Sequence, residues 1–202
     1  MINQQVDRSK RRFLVVATTA VGGVAGVAVL TPFVMSMLPS ERAKAAGAPV
    51  EVDISKVEPG MQLIVAWRGQ PVFVVNRTKA MLAVLPTLAS RLVDPLSEQP
   101  QQPAYCKNID RSIKPEYLVV IGICTHLGCS PNYMPKLGVA NAGAAGLGAD
   151  WPGGWLCPCH GSRYDLSARV FKNMPAPLNM LVPPYKYLSD TRIMVGDDKK
   201  GA

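Results

Sequence analysis

The chain has 202 residues, 48% of them hydrophobic, and a net charge of +8. That length suits one modest domain with accessory segments and excludes several independent cores. The charge does not signal nucleic-acid binding: about half of the excess sits in residues 1–44, and no basic stripe interleaved with aromatics follows.

Residues 1–12 are basic, with Arg8, Lys10, Arg11 and Arg12, and the uncharged run at 13–38 is rich in Val, Ala and Gly. As a helix that run would reach roughly 40 Å, more than the ~30 Å core of a bilayer. A single transmembrane anchor is therefore predicted over 13–38, with Thr31-Pro32 marking a kink or an early stop. The positive flank is expected to stay cytoplasmic, which puts residues 50–202 across the membrane. Ser9-Lys10-Arg11-Arg12-Phe13-Leu14 resembles a twin-arginine export signal, Ser-Arg-Arg-x-Phe-Leu, with Lys10 in place of the first arginine. That route carries folded proteins, as a cofactor inserted before export requires. Ala43-Lys44-Ala45 offers a small-residue cleavage site, but the apolar run exceeds an ordinary signal core, so a retained anchor is expected.

Residues 39–49 are small, polar and bounded by Pro39 and Pro49, the composition of a linker. Short strand-like runs follow. Val50, Val52 and Ile54 alternate with acids; Met61, Leu63, Val65 and Trp67 alternate in the next run, and Arg68-Gly69-Gln70 turns it back into residues 72–75 as a hairpin. Thr78 is placed to cap a helix over 79–92, and 95–103 is a Gln/Pro-rich loop. Residues 117–123 form a β-branched run, and three further strands are expected at 180–182, 185–188 and 192–195. The fold expected is an antiparallel β base interrupted by a small subdomain at about 124–164. The Gly/Ala-rich stretch at 140–149 reads as a surface insertion.

Both histidines of the chain lie in cysteine clusters: Cys124-Thr125-His126-Leu127-Gly128-Cys129 and Cys157-Pro158-Cys159-His160-Gly161-Ser162. Thiolates with imidazoles suit zinc, copper or an iron–sulfur centre rather than calcium or magnesium. Six candidate ligands are too many for one tetrahedral metal. One division takes a cysteine and a histidine from each loop and leaves one cysteine of each spare; a structural zinc ribbon with spare thiols is the alternative.

The two clusters resemble, position by position, the two cluster-binding boxes of the Rieske family, in which histidines replace two of the cysteines around a 2Fe–2S cluster and raise its potential. The resemblance implies an all-β Rieske head at 50–202 with its cluster-binding subdomain, and ligation by Cys124, His126, Cys157 and His160. It also implies a Cys129–Cys159 disulfide, found in the quinol-oxidising members and generally missing from soluble Rieske ferredoxins; such a cross-link needs an oxidising compartment. Ser162 and Tyr164 match the family's hydroxyl donors to the cluster sulfurs, and Met174-Pro175-Ala176-Pro177 resembles its cluster-covering loop, Gly-Pro-Ala-Pro, with methionine in place of the glycine.

Anchor, linker and head together resemble the Rieske subunits of bacterial cytochrome bc complexes. That likeness implies one electron taken from ubiquinol, with His160 accepting the quinol hydrogen bond and its proton, and Leu127 at the docking tip. The implied partners are a cytochrome b subunit, a c-type cytochrome subunit, membrane lipid and a second copy of the complex. The linker at 39–49 would be the hinge on which the head moves. The alternatives are the small Rieske subunit of an arsenite oxidase, a soluble electron carrier feeding an oxygenase, and a zinc-stabilised membrane adaptor. Cys106 is left as an odd thiol of buried type.

Overall fold

The computed structural model describes residues 7–40, 43, 47–135 and 150–198. It divides into an N-terminal unit and a head, with the boundary at Ala45/Ala46. Within the linker, residues 41, 42 and 44–46 lie outside the described set, and so does the Gly/Ala-rich stretch at 140–149.

The N-terminal unit is one helix of 29 residues, Arg8–Ser36. It starts ahead of the uncharged run because the Asp7 carboxylate accepts from the Ser9 and Lys10 amides at 3.0 and 3.2 Å, an N-cap that meets two otherwise unpaired donors. The four basic residues thus occupy its first turns. Pro32 lies inside the helix, which ends at Ser36 rather than at 38. Thr18, Thr19 and Thr31 turn their hydroxyls back onto the carbonyls of Leu14, Val15 and Val27, which hides their polarity from an apolar surround. The helix is long and apolar enough to cross a bilayer, and none of its residues is buried within the unit.

The head holds three three-stranded antiparallel sheets among the described residues. One has the order β1 (Val50–Asp53), β9 (Arg192–Val195), β8 (Tyr185–Ser189); the second β2 (Gln62–Trp67), β3 (Gln70–Asn76), β4 (Tyr117–Ile121); the third β5 (Asn132–Met134), β6 (Gly154–Leu156), β7 (Arg163–Tyr164). The first two form the base and the third belongs to the inserted subdomain. The β2–β3 hairpin closes with Trp67 opposite Gln70, so Arg68 and Gly69 alone make the turn, both at positive φ (51° and 73°). That is the primed turn whose twist matches the strands.

Two expected elements differ. Thr78 does cap a helix, accepting from the Met81 amide at 3.3 Å. The α-helix covers only Lys79–Val84, however, and a 3-10 helix continues over Leu85–Arg91. Pro86 has no N–H to return to the carbonyl four residues earlier, so the α-helical ladder fails there. No strand forms at 180–182. Its polar backbone is spent elsewhere: Met180 donates to the Ala168 carbonyl, Val182 to that of Gln101, and Leu181 accepts from Ile121.

Base and subdomain share one core. Val72, Val74, Leu118, Val120, Ile193 and Val195 of the base are fully buried in the same apolar cluster as Trp155 and Tyr164 of the third sheet. Phe73 stacks on Trp155 with centroids 6.3 Å apart, and the Trp155 indole N–H donates to Gln62 Oε1 at 2.8 Å. Burial of a residue the size of Trp155 contributes roughly 3 kcal/mol. The third sheet is thus packed into the core of the base, which anchors the loops it carries.

Candidate metal centre

The two cysteine–histidine loops leave β4 and β6 and fold alike. In the first, the Cys124 amide donates to the Cys129 carbonyl at 2.8 Å and the Gly128 amide to the Cys124 carbonyl at 3.0 Å. In the second, Cys157 donates to Ser162 at 2.8 Å and Gly161 to Cys157 at 3.0 Å. The fifth residue of each takes φ of 86° (Gly128) or 75° (Gly161), a left-handed turn that glycine adopts without strain. The common pattern superimposes Cys124 on Cys157 in sequence order, but sets His126 against Cys159 and Leu127 against His160. The loops are therefore alike in backbone and unlike in what they present.

A disulfide joins Cys129 to Cys159, with 6.6 Å between their Cα atoms. Those two sulfurs lie within 4.8 Å of the Cys157 Sγ, but their shared bond removes them as ligands. Cys124 and Cys157 remain free thiols, each 2% exposed. The His126 and His160 rings meet edge to face, 4.8 Å between centroids. His160 is exposed, His126 half-buried, and Leu127 is 71% exposed beside them.

Hydroxyls converge on the buried thiols. Tyr164, fully buried, donates to the Cys124 Sγ at 3.2 Å and also lies 3.1 Å from the Thr125 amide and 3.2 Å from its hydroxyl. Burial pushes the Cys124 thiol up, but hydrogen bonds from Tyr164, the His126 amide, Cys157 and Ser162 outweigh it and hold the thiol below its ordinary range. Burial pushes Cys157 up, and the neighbouring Cys124 adds to the rise. Two adjacent buried thiols cannot both ionise cheaply without a cation between them. A metal centre would meet that demand, and the two imidazoles beside the thiols offer neutral nitrogen ligands to it, so the residues fit a centre of two thiolates and two histidines.

The loop at 174–177 is tied to both boxes. The Ala176 amide donates to the Ser162 hydroxyl at 3.0 Å, and the Thr125 hydroxyl to the Leu178 carbonyl at 2.7 Å. Ala176 is buried while Pro175 and Pro177 face outward. The left-handed residue is Asn173, at φ 58°, not Met174, whose side chain packs against the core. The position where the family has glycine therefore needs none here. Ala176 thus sits in the loop where the resemblance places it, while Thr125, which the sequence shows only as a residue inside the first box, proves to tie Tyr164 to Leu178.

Two family descriptions match this chain: the "ubiquitinol-cytochrome C reductase Fe-S subunit TAT signal" over residues 2–40 and the Rieske 2Fe-2S domain over residues 99–186. A ubiquinol-cytochrome c reductase iron-sulfur subunit of Allochromatium vinosum is 60% identical over 202 residues, spanning 100% of this chain and 95% of that one. The protein of the same name from Bradyrhizobium diazoefficiens is 42% identical over 190 residues, spanning 93% of this chain and 94% of that one. A chain of a hyperthermophilic respiratory Complex III aligns at 24% identity and a TM-score of 0.47, over 88% of this chain and 97% of that one.

Proposed function

Because this chain belongs to the family of ubiquinol–cytochrome c reductase iron–sulfur subunits, we propose that it is the membrane-anchored subunit through which that oxidoreductase takes one electron and a proton from ubiquinol and passes the electron to a c-type cytochrome. The observation that carries this reading is the division of the site into two buried thiols and two surface imidazoles, with a disulfide closing the loops between them.

Cys124, His126, Cys157 and His160 would hold the 2Fe–2S cluster. When bound there, the cluster supplies a reversible one-electron acceptor, and histidine ligation raises its potential. His160, the more exposed of the two imidazoles, accepts the hydrogen bond of a quinol hydroxyl at the ring nitrogen left free of metal, and then keeps the proton. Leu127 offers an apolar contact beside it, where the quinol-binding surface of a cytochrome b subunit would dock. The Tyr164 and Ser162 hydroxyls neutralise part of the charge on the thiolate side, which favours electron uptake. Pro175, Ala176 and Pro177 exclude water from the inner face.

The helix Arg8–Ser36 anchors the chain. Its basic first turns stay on the cytoplasmic side, so the head works in the periplasm, the compartment in which a disulfide persists. The linker at 39–49 is the hinge: tethering holds the head at high effective concentration near cytochrome b and the c-type cytochrome while each docking stays weak. The parent complex is a dimer.

A low-temperature electron paramagnetic resonance spectrum of ascorbate-reduced membranes, with and without a quinone-site inhibitor, tests the reading. The expected result is the spectrum of a mixed nitrogen- and sulfur-ligated cluster that shifts with the inhibitor. A colourless, zinc-containing protein overturns the cluster assignment, and a spectrum indifferent to the inhibitor overturns the quinol contact.

A further inference from the structure

Three arginines are buried in the head: Arg77, Arg111 and Arg169, at 2%, 0% and 1% exposure. A guanidinium is tolerated in an interior only where its donors are met. Arg169 has a carboxylate partner, Asp165, at 2.7 Å. Arg111 is met at both Nη atoms by oxygens that carry no formal charge, while its Nε–H is buried with no hydrogen-bond partner among the described residues. Its Nη1 donates to the Ser167 and Ala168 carbonyls, both at 3.1 Å. Its Nη2 donates to the Met180 carbonyl at 2.7 Å, the Gln102 side chain at 3.1 Å and the Gln101 carbonyl at 3.3 Å. Arg111 itself sits at φ 52°, a conformation that costs a non-glycine residue and persists only where the surroundings impose it.

Three of these acceptors, Ser167, Ala168 and Met180, lie on two arms that both reach the metal centre. Ser167 and Ala168 form the tip of a hairpin in which Tyr164 pairs with Val170 and the Phe171 amide donates to the Arg163 carbonyl. That hairpin carries the Tyr164 hydroxyl to the Cys124 Sγ. Met180 ends the segment whose Leu178 carbonyl accepts from Thr125 and whose Ala176 amide donates to Ser162. The arms touch each other where the Met180 amide donates to the Ala168 carbonyl at 2.9 Å. The guanidinium bonds to both at their far end, as the Thr125 hydroxyl does at the metal end, where it meets the Tyr164 hydroxyl at 3.2 Å and the Leu178 carbonyl at 2.7 Å; between them the Asn179 side chain accepts from the Val170 amide at 2.9 Å.

We propose that Arg111 is a positioning residue for the redox centre: by joining the 165–169 turn to the end of the covering loop it sets the Tyr164 hydroxyl on the Cys124 sulfur, and so sets the potential at which the subunit accepts its electron. The proposal rests on the cluster reading given above. Lysine at this position would keep the charge but lose the planar fork of donors that spans the two arms.

The test is a redox titration of the cluster signal in membranes holding the whole complex, for the parent, Arg111→Lys, Tyr164→Phe and the double variant. The expected result is a lower midpoint potential in Tyr164→Phe, a smaller fall in Arg111→Lys, and a double variant no lower than Tyr164→Phe alone. A parental potential in Arg111→Lys, or a fall that adds in full to that of Tyr164→Phe, overturns the proposal while leaving the hydroxyl-donor reading intact. A parental potential in Tyr164→Phe overturns both. Should Arg111→Lys fail to fold, Arg111→Gln, which keeps one polar amide in place of the fork that joins the two arms, carries the same comparison, a parental potential in it counting against the proposal.

Discussion

The hydroxyl of Tyr164 donates to the Sγ of Cys124 across 3.2 Å, from a side chain with no exposed surface. A hydrogen bond aimed at a ligand sulfur stabilises the more negative, reduced form of the centre over the oxidised one. Tyr164→Phe keeps the ring that fills the core and removes this donor, together with the acceptor that the hydroxyl offers to the Thr125 amide at 3.1 Å. A loss of about 1.4 kcal/mol of differential stabilisation is tenfold in a one-electron equilibrium, or about 59 mV. The expected outcome is a midpoint potential lower by roughly that amount, with a loss of stability of about 1–2 kcal/mol from the unmet Thr125 amide, read by redox titration and by melting.

The other end of the same residue sets a second constraint. A Cβ built on Gly154 would stand 1.9 Å from the Tyr164 carbonyl oxygen, and Gly154 holds φ at 141°. Neither the backbone of β7 nor the strand conformation can give way cheaply. Gly154→Ala is expected to separate β6 from β7, with a loss above roughly 4 kcal/mol and with it the hydroxyl contact at Cys124. Gly161→Ala, also at positive φ but with nothing within 4 Å of the added methyl, should cost only about 1 kcal/mol of strain. Cluster content after purification, compared between the two variants, checks the difference.

Gly154 and Gly161 look alike in the sequence, and this shows where single-sequence reading stops. The two boxes were legible because rare residue types crowd into short loops, and the β2–β3 hairpin because alternation and Arg68-Gly69 agree. The helix at 79–92 is half legible: Thr78 marks its start, while Pro86, a residue that can also sit in the first turn of a helix, turns its second half into a 3-10 helix. The apolar run at 180–182 has the composition of a strand and pairs with no strand, since the carbonyls and amides it meets belong to Gln101, Ile121 and Ala168, far away in the chain. Arg77 and Arg111 left no local mark. An arginine between polar neighbours reads as surface, and its burial becomes visible only when the carbonyls that satisfy it are brought together by the fold.

The Cys129–Cys159 disulfide closes a loop with a sequence separation of 30. Cross-linking a loop of that length removes chain entropy from the unfolded state worth roughly 3.5 kcal/mol. It also holds together the two loops that carry His126 and His160. Cys129→Ser with Cys159→Ser is expected to lower the melting temperature of the head and to release the cluster at a lower temperature than in the parent. Melting followed by the visible absorption of the centre, in the presence and absence of a thiol reductant, checks both; the reductant should affect the parent and leave the double variant unmoved.

Cys106 offers a pH test well away from the centre. The thiol is fully buried, with Tyr185 as its hydrogen-bond partner at 3.9 Å, and burial pushes its pKa from 9.0 up to about 11, the Tyr185 contact and Arg111 opposing. The folded chain therefore holds this proton more tightly than the unfolded chain. The stability that follows is complete below about pH 9 and is lost as the pH rises to about 11. At pH 10.5 the unfolded thiol is ionised and the folded one is not, a difference of roughly 2 kcal/mol. Cys106→Ala removes the proton and leaves only a small void, so its stability starts lower at pH 8 but declines less steeply above pH 9. Denaturant unfolding of parent and variant at the two pH values gives the comparison. Equal declines in parent and variant would mean that Cys106 ionises as easily folded as unfolded, against its burial.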